Sequence, residues 1–262
     1  MTSKKMRKDI NIEKIYERNE LIWGSEAQKS LFQKHVIVFG LGGVGSYTAE
    51  ALARSGIGKF TLVDFDTVSE SNINRQLLAV ISDIGKPKVE LMKKRIEEIN
   101  PHIQVRILND FYTPKLNDIL FLDESSPVDF VVDAIDTLKY KIDLIESCIK
   151  LNIPIISSMG AGNRLDPGQL YITDISEIKS KQCVFASNVL YKLKARGITQ
   201  GLPVVASMEK PCLTKKRGSC TNIKTAHGEE ITLMKFTPGS SPFVPPVAGY
   251  MMASYVVKKF IT

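Results

Sequence analysis

Short runs of β-branched and aliphatic residues alternate with longer stretches of helical periodicity from residue 35 to residue 160. The apolar runs are "HVIVFG", "KFTLVDFD", "IQVRIL", "VDFVVDAID" and "IPIISSMG"; the helical stretches fall at 44–55, 86–99 and 138–151. That alternation predicts a parallel sheet covered by helices. The runs are almost unbroken in apolar character, as strands buried on both faces require. Gly56 and Gly58 close the first helix, and Asn100-Pro101 stops the helix before "IQVRIL". After Gly160 the texture changes. "QLYITDIS" and "EEITLMKF" read as half-exposed strands, separated by a basic loop, "PCLTKKRGSCTNIK". That loop and part of 176–186 are expected to be mobile. The predicted class is α/β, a doubly wound, mainly parallel sheet with a C-terminal antiparallel extension. Residues 1–30 are expected to form an N-terminal helical arm and 31–175 the core. Residues 176–262 should supply a substrate-facing lobe and a final helix within the same domain.

With 262 residues, 44% of them apolar, the chain can bury a sizeable core. Thirty-five Lys and Arg against 28 Asp and Glu leave a net charge of +7, which suits a polyanionic partner such as RNA. Cys148, Cys183, Cys212 and Cys220 contain no C-x-x-C pair, so a four-thiolate zinc site is not expected and a reducing compartment is. The first residues, "MTSKKMRKDINIEK", hold charge but no apolar core of a secretory signal, and the expected location is cytoplasmic. The apolar ending "FVPPVAGYMMASYVVKKFIT" is broken by Pro245, Pro246, Lys258 and Lys259. It is too short between them to cross a bilayer, which takes ~20 residues, and reads as a buried helix.

The stretch "VIVFGLGGVGSYTAEAL" runs a strand through Gly40, Gly42, Gly43 and Gly45 into a helix. Glycine there admits positive φ and removes every Cβ, so a phosphate can approach the amides at the helix N-terminus. Asp64 closes the second strand, where a carboxylate accepts from ribose hydroxyls. These features alone fit a dinucleotide dehydrogenase as well. Beyond them, "SESNINRQ" supplies Asn72, Asn74, Arg75 and Gln76, and "GKPKVE" supplies Lys86 and Lys88. A triphosphate attacked at its α-phosphorus needs such cations, because charge builds on the departing pyrophosphate; a nicotinamide cofactor does not. "VVDAID" sets Asp133 and Asp136 at the carboxyl end of the fourth strand. Asp136 is the choice for holding Mg²⁺ against phosphate oxygens, and Asp133 is expected to bond to neighbouring backbone.

Together, G-x-G-G-x-G at 40–45, D-x-D at 64–66, S-N-x-N-R-Q at 71–76, Lys88 and D-A-I-D at 133–136 resemble the ATP-dependent adenylating superfamily of ThiF, MoeB, HesA and the ubiquitin-activating enzymes. Within it, "RNELIWG", "GIGKFTLVDFDTV", "GAGNRLDP" and "VPPVAGYMMASYVVKK" are most similar to the tRNA threonylcarbamoyladenosine dehydratase group. The resemblance implies a Rossmann-like fold of the ThiF type. It puts ATP on Gly40, Gly42 and Gly43, its ribose on Asp64 within the 64–66 motif that includes Asp66, and its phosphates on Asn72, Arg75 and Lys88. Gln76 completes the cofactor-binding set, and Asp136 stands near the metal. It also implies a homodimer, with Arg18 reaching the partner subunit's site; on its own residue type and position Arg18 reads as a solvated helix residue. The implied reaction adenylates the carboxylate of the threonylcarbamoyl arm on a tRNA adenosine beside the anticodon, then closes a ring with net loss of water.

The alternative is an enzyme that adenylates a ubiquitin-like or sulfur-carrier protein, and a sulfur-transfer partner protein belongs among the candidate partners. Cys183 would be its acceptor, although it reads as a small apolar filler. A non-enzymatic nucleotide-binding scaffold is a further reading. Lys215, Lys216 and Arg217 fit either tRNA phosphate contacts or a solvated loop. His35, His102 and His227 lack metal-ligand spacing.

Overall fold

The computed structural model describes residues 11–123, 125–179, 183–212 and 217–262. Each apolar run from 35 to 160 becomes a strand: β1 (His35–Phe39), β2 (Lys59–Val63), β3 (Gln104–Leu108), β4 (Phe130–Asp133) and β5 (Ile155–Ser158). All five lie parallel, with Val38 opposite Leu62 on one side and Val132 on the other. β6 (Leu170–Asp174) and β7 (Pro203–Ser207) extend the sheet beyond β5, β7 parallel to β5 and β6 antiparallel at the edge. The order is β3-β2-β1-β4-β5-β7-β6. The chain therefore reverses direction of travel across the sheet between β1 and β4, and a crevice opens there at the carboxyl ends.

Successive side chains of a strand face opposite ways, and both faces of this sheet are covered. Val36 and Val38 pack toward α3 (Gly45–Ser55), α4 (Lys88–Ile99) and α8 (Val244–Ile261), in a cluster with Leu52, Met92 and Val256. Ile37 and Phe39 pack toward α6 (Leu138–Lys150) and α7 (Val184–Lys194), with Leu144 and Val189. Among the described residues two helices, α1 (Ile12–Trp23) and α2 (Ser25–Gln33), precede β1, and a short α5 (Asn117–Phe121) follows β3. Among the described residues no helix is long and apolar enough to cross a membrane.

In the second half of the sequence the strands in "QLYITDIS" and "EEITLMKF" and the final helix form as predicted, while two stretches differ. The basic loop is a strand over much of its length: β8 (Arg217–Lys224) pairs antiparallel with β9 (Glu230–Thr237), Thr221 opposite Leu233. Its polar, two-sided pattern gives little strand signal, and the backbone bonds to β9 define it instead. Residues 184–194, which overlap the stretch expected to be mobile, are α7, and its spacing buries Val189 and Leu193. Lys181, Lys215 and Lys216 lie outside the described residues, as does the Arg217 side chain.

One packing detail bears on the site. α8 crosses the start of α3 at Gly249, where any Cβ would run into the Val44 carbonyl and stand 3.0 Å from Tyr47 Cβ. Thr48 Oγ1 seals the crossing by donating to Gly249 O at 3.1 Å. The N-terminal turn of α8, with Val244, Pro245 and Pro246 buried, thereby backs the glycine turn between β1 and α3. Gly249→Ala is expected to destabilise the protein by about 1–3 kcal/mol through overpacking. Thermal unfolding by circular dichroism should register a lower Tm; an unchanged Tm would show that the helix crossing yields freely.

Candidate functional site

β1 delivers the chain to Gly40, whose φ of 84° is a left-handed value and whose Cβ, if present, would stand 2.8 Å from Ala134 O. Only glycine meets both demands. Gly45 opens α3 so close to the Gly40 carbonyl that it too must lack a side chain. Between them, the amides of Gly42 and Gly43 have no acceptor among the described residues. Unpaired amides at the N-terminus of an 11-residue helix form an anion-binding cradle.

Asp64, just past β2, fixes this turn from the side. Its Oδ2 accepts from Leu41 N at 2.5 Å and its Oδ1 from Asp66 N at 2.8 Å. Burial pushes its pKa up, while Lys88 pulls it back. Lys88 is 3% exposed and donates to Asp66 Oδ2 at 2.9 Å, so a cation is held beside the turn with its stem buried in the first turn of α4. The Asp66 side chain itself is partly open to solvent. Lys86 pairs instead with Asp83 at 2.8 Å.

The 69–76 segment is a built loop. Asn72 is buried, accepts from Ser69 N at 3.2 Å, and its carbonyl accepts from Arg75 N and Gln76 N. Arg75 then lies on the glycine turn: a Cβ at Gly43 would stand 3.3 Å from Arg75 O and 3.5 Å from Arg75 Cγ. Its Nη1 donates to Ser71 O and Asn74 Oδ1, leaving Nε and Nη2 with no acceptor among the described residues. That edge is the fork that receives phosphate oxygens in pairs. Burial lowers the Arg75 pKa and Asp136 opposes the shift, so this cation and this carboxylate sense each other across the crevice. Gln76 reaches toward Gly42, and its buried Oε1 has no donor among the described residues. Such an acceptor suits a hydroxyl of a bound ribose.

Asp136 is exposed on the loop between β4 and α6. Among the described residues no three His, Cys, Asp or Glu converge on one point. The Asp136 carboxylate fits Mg²⁺, which takes one or two carboxylates together with substrate oxygens. Asp133 does bond to neighbouring backbone, accepting from Ile135 N at 3.0 Å, but its strongest partners are elsewhere. Lys141 Nζ and Ser157 Oγ each donate to its Oδ2 at 2.6 Å, all three residues fully buried.

A cleft of about 620 Å³ opens on the β2–β3 side of the turn, lined by Phe65, Asp66, Asn109, Asp110 and the 221–226 stretch of β8 and its turn. Its size is that of a small-molecule site. Asp110 is 5% exposed; one oxygen accepts from Phe111 N and Ala226 N, and Oδ2 has no donor among the described residues. A buried carboxylate oxygen there suits an amino group of a base. Sequence reasoning missed Asp110, although the rule that marked Asp64 and Asp136, a polar residue just past a parallel strand, applies equally to "ILND".

Arg18 stands apart from these groups. It is exposed on α1, whose Tyr16 Oη and Asn19 Nδ2 donate to Ala53 O and Arg54 O at the far end of α3. That end lies about 16 Å of helix from the glycine turn. Cys183, by contrast, is 7% exposed with Sγ directed at Met159 O, 3.7 Å away.

The chain is 44% identical over 245 residues to the tRNA threonylcarbamoyladenosine dehydratase of Bacillus subtilis, covering 92% of both. The crystal structure of the Escherichia coli tRNA N6-threonylcarbamoyladenosine dehydratase, TcdA, in complex with ATP superposes with a TM-score of 0.79 at 31% identity, covering 95% of this chain and 94% of that one. The molybdopterin-synthase adenylyltransferase of Escherichia coli is 30% identical over 200 residues, 74% of this chain and 78% of that protein. The sequence pattern of the ThiF family matches residues 16–262, and the chain belongs to that family.

Proposed function

We propose that this protein is an ATP-dependent tRNA threonylcarbamoyladenosine dehydratase. Two lines support the reading: likeness to enzymes so described over more than nine-tenths of the chain, and a site that offers amides and cations where a triphosphate would lie. The observation that carries it is the pairing of Arg75 and Lys88 with the glycine turn. Charge at both places has a use when pyrophosphate leaves and little use for a nicotinamide.

In this reading the adenine enters the cleft beside Asp110, the ribose meets Asp64 and Gln76, and the phosphates take the Gly42 and Gly43 amides. The threonylcarbamoyl carboxylate attacks the α-phosphorus, forming a P–O bond as the bond to pyrophosphate breaks. Arg75 and Lys88 stabilise the charge that develops on the departing group. Asp136 and the phosphate oxygens would hold Mg²⁺, which neutralises part of that charge. An atom of the same arm then attacks the activated carbonyl and AMP departs. Intramolecular attack needs no second substrate, so positioning supplies most of the acceleration. Arg18 acts in trans within a homodimer, consistent with its distance from its own chain's turn. The protein-activating alternative needs an accessible acceptor thiol, and Cys183 is buried.

Incubation with ATP and tRNA from cells lacking the enzyme, followed by nucleoside mass analysis, should reveal threonylcarbamoyladenosine short of one water. Arg75→Ala should lower that rate at least about 100-fold, the scale of losing one charge-stabilising donor. AMP formation with a small carrier protein but not with tRNA would overturn the assignment. Cys183→Ser should leave turnover unchanged, and abolition of turnover would restore the thioester route. Arg18→Ala and Arg75→Ala proteins, each inactive alone, should recover up to about a quarter of wild-type activity when mixed and allowed to exchange subunits, since half the dimers would hold one intact site. No recovery would place Arg18 outside the partner's site.

A further inference from the structure

Under the loop that carries Asp136 lies a charged cluster with no access to solvent. Asp133, Lys141 and Ser157 are each 0% exposed. Lys141 Nζ donates to Asp133 Oδ2 at 2.6 Å and to Ser157 Oγ at 3.1 Å, while Ser157 Oγ donates to the same carboxylate oxygen at 2.6 Å. The other oxygen of Asp133 accepts from Ile135 N. Nothing in the nucleotide reading calls on Lys141, and apolar residues of similar volume would often stabilise such a place equally well.

Its location explains why a charge pair stands there. Asp133 is the last residue of β4 and Lys141 lies in the first turns of α6, so the pair ties together both ends of the 134–137 loop. Within that loop, Ala134 N donates to Phe39 O at 2.9 Å, and Ala134 O is the atom that excludes a Cβ from Gly40. The bond to Ile135 N shapes the turn that leads to Asp136. Burial lowers the pKa of Lys141, Asp133 raises it again, and Asp136 adds to the pull, so the ammonium senses both ends of the loop.

We propose that Lys141 is a positioning residue for adenylation: by compensating the buried Asp133 carboxylate it holds Asp136 in place, while Ala134 stays fixed to Phe39 by its own backbone bond. The proposal rests on the ATP reading above and assigns the cluster a role in it. Without the ammonium, Asp133 is a buried anion that must turn toward water or take up a proton. Turning breaks the Ile135 bond and protonation leaves a weaker acceptor there than an amide oxygen, and both loosen Asp136. Adenine, ribose and the amide cradle stay as they were, so ATP affinity should survive while the chemical step slows.

The test compares wild-type protein, Lys141→Met, Asp133→Asn and the double variant in single-turnover pyrophosphate release with substrate tRNA, alongside the Kd for ATP. Lys141→Met should slow the chemical step about 30-fold or more with the Kd for ATP changed less than about 3-fold, the signature of a loss felt mainly in the transition state. The double variant should regain about 10-fold over Lys141→Met, because the amide oxygen introduced by Asp133→Asn still accepts from Ile135 N and no uncompensated charge remains. A wild-type rate in Lys141→Met overturns the proposal, as does a double variant no faster than Lys141→Met, which would make the ammonium a direct participant. Should Lys141→Met fail to fold, Ser157→Ala removes one bond from the carboxylate and is expected to slow the step about 3-fold at constant ATP affinity; an unchanged rate overturns the proposal. Wild-type protein that binds ATP but leaves tRNA unaltered would fail the functional reading separately. The positioning role would then be judged from crystals with ATP, where Lys141→Met must displace residues 135–137 and an unmoved loop would refute it.

Discussion

Everything at this site depends on bare backbone where β1 meets β4. The Ala134 carbonyl lies where a Gly40 side chain would be, and Gly45 begins α3 hard against the Gly40 carbonyl. This contact sets how closely a ligand can approach the N-terminus of α3 and leaves two amides facing outward. The sheet's order supplies the reason it occurs here, because β1 and β4 are neighbours in space with β2 and β3 between them in sequence. Asp64, Arg75 and the first turn of α8 then close on the turn from three sides.

An amide cradle alone would serve any phosphate. What narrows the chemistry is the distribution of charge around it. Arg75 presents an unengaged fork on the glycine turn, and Lys88 is held by Asp66 at the edge of the cleft. Asp136, past the end of β4, acts electrostatically on Arg75. Cations on one side and the Asp136 carboxylate on the other suit a triphosphate with a metal ion, and attack at phosphorus with an anionic leaving group.

The glycine turn, Asp64, Arg75, Lys88 and Asp136 were legible because each stands at a strand end or in a turn where residue type follows from local geometry. The parallel strands were legible for the same reason, through unbroken apolar runs. Lys141 was hidden: in "LKYKIDLIES" a lysine reads as surface, and only the tertiary contact with Asp133, eight residues back, shows it buried. β8 was also hidden, although its partner β9 was expected. "RGSCTNIK" has no apolar face to announce a strand, yet its 221–224 end lines the cleft. Arg18 is an intermediate case: its helix was expected, and the structure leaves it exposed, away from its own chain's glycine turn.

The most direct measurement follows an oxygen atom. Substrate tRNA whose threonylcarbamoyl carboxylate is labelled with ¹⁸O is converted with ATP, and the phosphorus products are analysed by mass. Attack of that carboxylate on the α-phosphorus predicts one labelled oxygen in AMP and none in pyrophosphate. Label in inorganic phosphate, with ADP as the nucleotide product, would contradict adenylation at this site.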